Sequence, residues 1–171
     1  MVTGDETDRT GMAGTTALFT DIVGSTELAL RLGDAAWADL LERHNQAVRG
    51  ELVRFGGVEM DTSGDGFFAV FPEPAAAIEA AYAIAEALRP LGLSVRIGIH
   101  NGDCFVVEGK CTGIAMHIAA RLVALAGPGE VLASEAVHAA ASRDFDFEPR
   151  GSHELKGLPG EWPVYAVKPV G

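Results

Sequence analysis

The sequence predicts an α+β fold, with helices layered on one mixed sheet, and three observations carry that prediction. Strand-like and helix-like segments alternate along most of the 171 residues. The pair of strands in the first half is a hairpin, "GVEMDTSGDGFFAVF", with no helix between its arms. The chain is 48% hydrophobic and rich in alanine and glycine, enough at this length for one core built by small-residue helices on a sheet.

Taken in order, residues 1–13 are polar and without periodicity, and they read as a flexible tail before one domain over 14–171. "TTALFTDI", from Thr15, reads as the first strand. Gly24, Ser25 and Thr26 supply a turn and a hydroxyl N-cap for a helix. Asp34 caps a longer helix, in which Trp37, Leu40, Leu41, Val48, Leu52 and Phe55 recur at helical spacing until Gly56-Gly57 ends it.

The hairpin follows, with its turn at 62–66. Pro72 and Pro74 then open a helix whose apolar face is Ile78, Ala81, Ala85 and Leu88, and Pro90 stops it. "LSVRIGIHNG" is β-rich, and "TGIAMHIAARLVALAGPG" is a helix closed by Gly127-Pro128-Gly129. "EVLAS" is a short strand and "EAVHAAAS" a short helix. "FDFEPRG" and "WPVYAV" form a last strand pair. This order fits a ferredoxin-like βαββαβ core with a mixed sheet, extended by C-terminal strands and a helix.

The formal net charge is -11, a surface that repels polyanions and argues against nucleic acid as a partner. No apolar run approaches the ~20 residues needed to span a bilayer, so no membrane partner is expected and the chain reads as cytoplasmic. Cys104 and Cys111 are the only cysteines, and with no CxxC pair or zinc spacing they read as free thiols.

Two aspartates stand out. Asp21 ends a buried-looking strand, where a bare carboxylate is costly, and Asp65 sits at a hairpin tip. In βαβ-hairpin geometry the two places are neighbours on one sheet edge. Each alone is accounted for by an Asx turn or a glycine-flanked turn. Jointly they point to divalent cations, Mg²⁺ or Mn²⁺, two per site, which would neutralise the pair and hold a phosphate. "IVGST" follows at a helix start, where free amides of residues 22–26 and the helix dipole suit an anion; an ordinary N-cap explains the same residues. His117 and Arg121, four apart, share a helix face. They fit a half-buried histidine and an ion-paired arginine, or a positive group aimed at a developing phosphoryl charge.

"LFTDIVGST", "GGVEMDTSGDGFFAVF", "VRIGIHNG", "GIAMHIAARL", "GEVLAS" and "ELKGLPGEWPVYAV", in this order, resemble the catalytic domain of class III adenylyl and guanylyl cyclases over about residues 15–168. The resemblance implies a homodimer with sites at the interface. There the ribose 3′-oxygen attacks the α-phosphate of ATP or GTP, giving a 3′,5′-cyclic nucleotide and pyrophosphate. It implies that Asp21 and Asp65 bind metal with the carbonyl of Ile22. By the same resemblance Val23, Gly24, Ser25 and Thr26 cradle phosphates, Arg121 stabilises the transition state, and Lys156 contacts phosphates.

The chain departs from the family at three positions. His117 stands where Asn usually orients the ribose; it donates a hydrogen bond but is bulkier and titrates. The base-reading pair is Asp61 and Lys110, where adenylate-specific members usually have Lys and Asp (or Thr). Three readings stay open: adenine gripped in exchanged roles, guanine read by Asp61 through its N1–H and 2-amino donors, or a simple Asp61–Lys110 pair across the dimer. Adenylate cyclase is the default by family frequency. A pseudo-cyclase that dimerises and binds nucleotide without turnover is the competing class. A diguanylate cyclase, to which "SGDGF" alone would point, is opposed by "FTDIVGST".

Overall fold

The computed structural model describes residues 10–108 and 110–168, with side chains for all of them except 10–14, 63, 105–107, 110 and 111. In chain order the elements are β1 (Thr10–Ile22), α1 (Ser25–Leu32), α2 (Asp34–Arg54), β2 (Val58–Ser63), β3 (Gly66–Phe71), α3 (Pro74–Leu88), β4 (Val95–Val107), β5 (Lys110–Thr112), α4 (Ile114–Leu125), β6 (Val131–Ser134), α5 (Glu135–Ala141), β7 (Asp146–Glu154) and β8 (Glu161–Lys168). A 3₁₀ turn, Arg89–Leu91, follows α3.

The sheet runs β2-β3-β1-β4-β6-β8-β7, with the short β5 paired to β4. The first four strands in that order make the expected ferredoxin-like core. β1 lies antiparallel between β3 and β4, while β4 and β6 are parallel, so the sheet is mixed.

Alternation along the strands divides the side chains between two faces. Leu18, Ile22, Phe67, Ala69, Phe71, Ile97 and Ile99 join the buried residues of α2, α3 and α5 in the main core. Ala17, Phe68, Val70 and Cys104 face the other way, beneath Ala119 of α4. A second seam, including Ile118, Leu122, Leu132 and Val164, fastens α4 over β6 and β8.

Several boundaries differ from expectation. Residues 10–13, read as tail, start β1 and pair with β4 through Thr10↔Val106, Gly11↔Phe105 and Met12↔Cys104. The backbone supplies this extension, which side-chain periodicity does not report. Gly24, not a hydroxyl residue, caps α1; it is left-handed at φ 65 and makes no side-chain cap. Gly33 likewise caps α2, so Asp34 is its first helical residue and complements the dipole from there. Cys104 is disulfide-bonded, not a free thiol as the sequence suggested. The strand β5 folds back onto β4 at this point, a chain reversal that cysteine spacing alone does not reveal.

Candidate active site

The site begins where β1 stops. Asp21 is the penultimate residue of that strand, and Asp65 lies in the two-residue turn between β2 and β3. Because β3 pairs with β1, the hairpin tip returns to the end of β1. The Ile22 N–H donates to Asp65 Oδ2 at 3.3 Å. Burial raises the Asp21 pKa above its ordinary value, the neighbouring Asp65 carboxylate adds to the rise, and Arg96 opposes it.

Arg96, on β4, is directly opposite Asp21 in the register, and its guanidinium is ion-paired with the Asp21 carboxylate. Sequence reasoning missed this residue. The available signal was its place: an arginine between Val95 and Ile97, inside an otherwise apolar strand run.

Three buried side-chain atoms lack a hydrogen-bond partner among the described residues: Thr20 Oγ1, Arg96 Nε and His44 Nε2. Thr20 adjoins Asp21, Arg96 pairs with it, and the charge of Asp65 acts on buried His44. Thr20 opposes Phe67 and, like His44, faces the main core, so Arg96 Nε is the unsatisfied atom beside the carboxylates. Two crowded carboxylates beside the Ile22 carbonyl suit hard divalent cations, which take oxygen donors. The residues present therefore fit the expected metals, provided Arg96 yields Asp21 to them. Among the described residues there is no group of three or more His, Cys, Asp or Glu side chains placed to hold a metal ion.

The turn after β1 is more restricted than its sequence suggests. Ile22 N–H is engaged by Asp65, and Val23 N–H donates to Ser94 O at 2.8 Å. The amides left for an anion are thus those at the start of α1, from Gly24, Ser25 and Thr26 onward. The Val23 amide is engaged because the β1–β4 ladder continues one residue past the strand.

A cleft of about 270 Å³ opens on the α4 side of the sheet. Asp21, Asp61 and Asp65 line its acidic part, and Phe19, Phe68 and Met116 its apolar part. Phe19 and Phe68 stack with centroids 4.8 Å apart. A larger cavity, about 650 Å³, lies between α3 and the ends of β4, β6 and β8 and holds none of the expected site residues.

The remaining candidates sit elsewhere. Met116 of α4 lines the acidic cleft, whereas His117 is exposed and Arg121 Nε donates to the carbonyl of Lys156 at 3.1 Å. Arg121 and Lys156 are therefore neighbours, but they do not line the Asp21–Asp65 cleft. Lys110 lies in β5 opposite Val107; its side chain is outside the described residues.

Comparison with known proteins bears on the fold and the family. The family model of the adenylate and guanylate cyclase catalytic domain matches residues 9–169. An uncharacterised protein of Rhizobium meliloti is 34% identical over 84% of this chain, which spans 16% of that relative. The adenylate cyclase of Neurospora crassa is 25% identical over 89% of this chain and 9% of its own length. The chain thus spans a small part of these curated relatives. Among solved structures, the adenylyl cyclase CyaB of P. aeruginosa has a TM-score of 0.87 at 21% identity, covering 95% of this chain and 97% of that one. The guanylate cyclase domain of RhGC from Catenaria anguillulae, in complex with GTP, has a TM-score of 0.85 at 18% identity, covering 93% and 98%. At those identities the likeness speaks for the fold, and the family match adds what the fold leaves open: the chain belongs to the adenylate and guanylate cyclase catalytic domain family.

Proposed function

We propose that this domain is a nucleotidyl cyclase. It converts ATP, the default substrate, to a 3′,5′-cyclic nucleotide and pyrophosphate at a homodimer interface, for second-messenger signalling in the cytoplasm. The observation that carries this reading is the division of the machinery within one chain. Asp21 and Asp65 line one cleft, and Asp65 lines an adjoining one with Ser25 and Thr26 at the start of α1; Arg121, His117 and Lys156 line neither. A head-to-tail pair of chains would join one half from each, completing two equivalent sites.

Divalent cations, when bound, would supply charge neutralisation and lower the cost of ionising the ribose 3′-hydroxyl. Asp21 and Asp65 would hold them, with the Ile22 carbonyl as a further oxygen donor. Arg96, released from Asp21, would remain a positive group beside the two carboxylates. The amides of Gly24, Ser25 and Thr26 orient the outer phosphates. Arg121, positioned through its hydrogen bond to Lys156 O, meets charge that develops as the 3′-oxygen–phosphorus bond forms and the bond to pyrophosphate breaks. His117 donates to the ribose.

A second reading concerns the base. Asp61 shares the cleft with Asp21 and Asp65 beside an apolar slot of Phe19, Phe68 and Met116. A carboxylate there accepts from the N1–H and 2-amino groups of guanine, which supports guanylate or dual specificity. No helix among the described residues is long and apolar enough to cross a membrane.

The test is product analysis of the purified chain with Mn²⁺ or Mg²⁺, offering ATP and GTP separately, with Asp21→Asn as control. Cyclic product that disappears in the variant supports catalysis, and the preferred triphosphate identifies the base. Nucleotide binding without product from either would replace this reading with a pseudo-cyclase that dimerises and signals by binding.

A further inference from the structure

A second cleft adjoins the acidic one, and Asp65 lines both. It is a groove of about 330 Å³ between α1, α2 and the β2–β3 turn. That volume lies within the range of small-ligand sites. Ser25 and Thr26, at the start of α1, line it together with Asp65. Their amides are the ones left for outer phosphates, so the groove opens beside the tail of a nucleotide held in the acidic cleft.

The rest of its lining differs in character. Leu30, Trp37 and Leu41 supply an apolar wall, and Asp34 a carboxylate past the end of α1. At about 1.5 Å rise per residue, Leu30 lies about 8 Å along the helix from Ser25. Leu30 is 81% exposed, whereas Trp37 is half-buried and packed against the main core.

Charge narrows the choice of occupant. Among the described residues neither lysine nor arginine lines the groove, and its ionisable side chains, Asp34 and Asp65, are both acids. Beyond the α1 amides an anion is repelled, while a neutral planar group has an indole to stack on. Every nucleobase offers such a π-face. The ribose attached to it presents hydroxyl donors, which a carboxylate such as Asp34 accepts.

We propose that this groove binds a second nucleoside, so that the site takes dinucleoside polyphosphates, two nucleosides joined through their 5′-oxygens by a phosphate chain. One nucleoside occupies the acidic cleft, the phosphates cross the start of α1, and the second base stacks on Trp37 with its ribose at Asp34. This rests on the reading of the site as a nucleotidyl cyclase. In the cyclising step the ribose 3′-oxygen bonds to its own α-phosphorus, and the bond from that phosphorus to the oxygen of the next phosphate breaks. The 3′-hydroxyl proton passes to solvent. From a tetraphosphate the leaving group is a nucleoside 5′-triphosphate in place of pyrophosphate.

The test measures dissociation constants by isothermal titration calorimetry with Mn²⁺, on the chain carrying Arg121→Ala to suppress turnover. Diadenosine tetraphosphate is compared with ATP, and diguanosine tetraphosphate with GTP. Each pair carries the same formal charge when fully ionised, so the ratio isolates the added nucleoside. For the preferred base the dinucleotide is expected to bind about tenfold tighter than the triphosphate, within what one base–aromatic stack contributes. Trp37→Ala and Asp34→Ala, each checked for native melting, should bring that ratio toward one, and Trp37→Phe should keep most of it. Asp34 is exposed, so its variant keeps the test decisive where Trp37→Ala fails to fold. The native chain should convert the dinucleotide to cyclic nucleotide and nucleoside triphosphate in equal amounts. A ratio near one before substitution, as when the other protomer fills the groove, overturns the inference. So does a ratio unchanged in the folded variants. In both cases cyclic product from ATP or GTP leaves the cyclase reading standing. Tight binding without product from the dinucleotide, in a chain that cyclises the triphosphate, overturns its role as substrate. A ratio that depends on Trp37, with no cyclic product from any of the four ligands, removes the cyclase reading and upholds the second nucleoside site.

Discussion

Asp21 and Arg96 face each other across the β1–β4 ladder as an ion pair, and Asp65 crowds the same carboxylate from the other side. Asp21 is therefore the most constrained charge of the site, and substituting it separates function from stability. Asp21→Asn should lower cyclic-nucleotide formation by about a thousandfold, the several kcal/mol that a lost metal ligand removes. Stability in EDTA should move the other way. An acid whose folded pKa is raised loses stability as pH climbs from its unfolded value of 3.8 through the folded one. The variant lacks that loss, so its melting temperature at neutral pH should equal or exceed that of the native chain. A marked fall in melting temperature would mean that the Arg96 pair stabilises the fold more than burial of the charge costs.

The two half-sites predict complementation. Asp21→Asn and Arg121→Ala should each be inactive alone. Mixed in equal amounts and allowed to exchange, half the dimers are heterodimers with one intact site of two. Recovery to about a quarter of native activity is expected. No recovery, with exchange verified by mass, would remove the shared-interface arrangement.

Gly98 is where α4 touches the sheet. A Cβ there would come within 2.4 Å of Ala119 O and 2.9 Å of both Leu122 Cβ and Val123 N, none of which is a flexible side-chain end. Gly98→Ala should therefore lift α4 from β4 and cost about 1–3 kcal/mol in denaturant unfolding. Met116 and Arg121 ride on that helix, so activity should fall along with stability. Gly50→Ala, with open space around its Cβ, is the control and should leave both near native.

His100 is buried and bonded through Nδ1 to Ser134 Oγ at 2.6 Å, and burial lowers its pKa from 6.5 to about 4. The folded state holds it neutral while the unfolded chain takes up a proton below 6.5. Its contribution is complete above that pH and is lost as pH falls toward 4, amounting to ~3 kcal/mol over the interval. Urea midpoints across this range should show a decline that His100→Gln largely lacks, even though that variant is less stable at pH 7.

Much of this was legible in the chain itself. Helical spacing from Trp37 to Phe55, the proline-bounded α3, and the Gly-Asp-Gly turn each specify local structure through periodicity or φ preference, which neighbours alone determine. The acidic pair was legible as well, because a carboxylate at a strand end and another at a hairpin tip are brought together by the topology they belong to. Arg96 was not, since nothing within "LSVRIGIH" says which β1 residue it will oppose. The partner of the Val23 amide was not legible for the same reason: Ser94 O is distant in sequence.

The sequence by itself determined most of the helices and strands, the order that makes a ferredoxin-like core, and the residue types of the candidate site. These follow from local propensity and from chemistry carried by single side chains. Only the tertiary structure decided that Arg96 pairs with Asp21, that Arg121 donates to Lys156 O and does not line the acidic cleft, and that Asp61 does line it. Each of these depends on strand register or on packing between distant segments. A shift of one residue in pairing reverses every side chain beyond it, and no local preference reports such a shift.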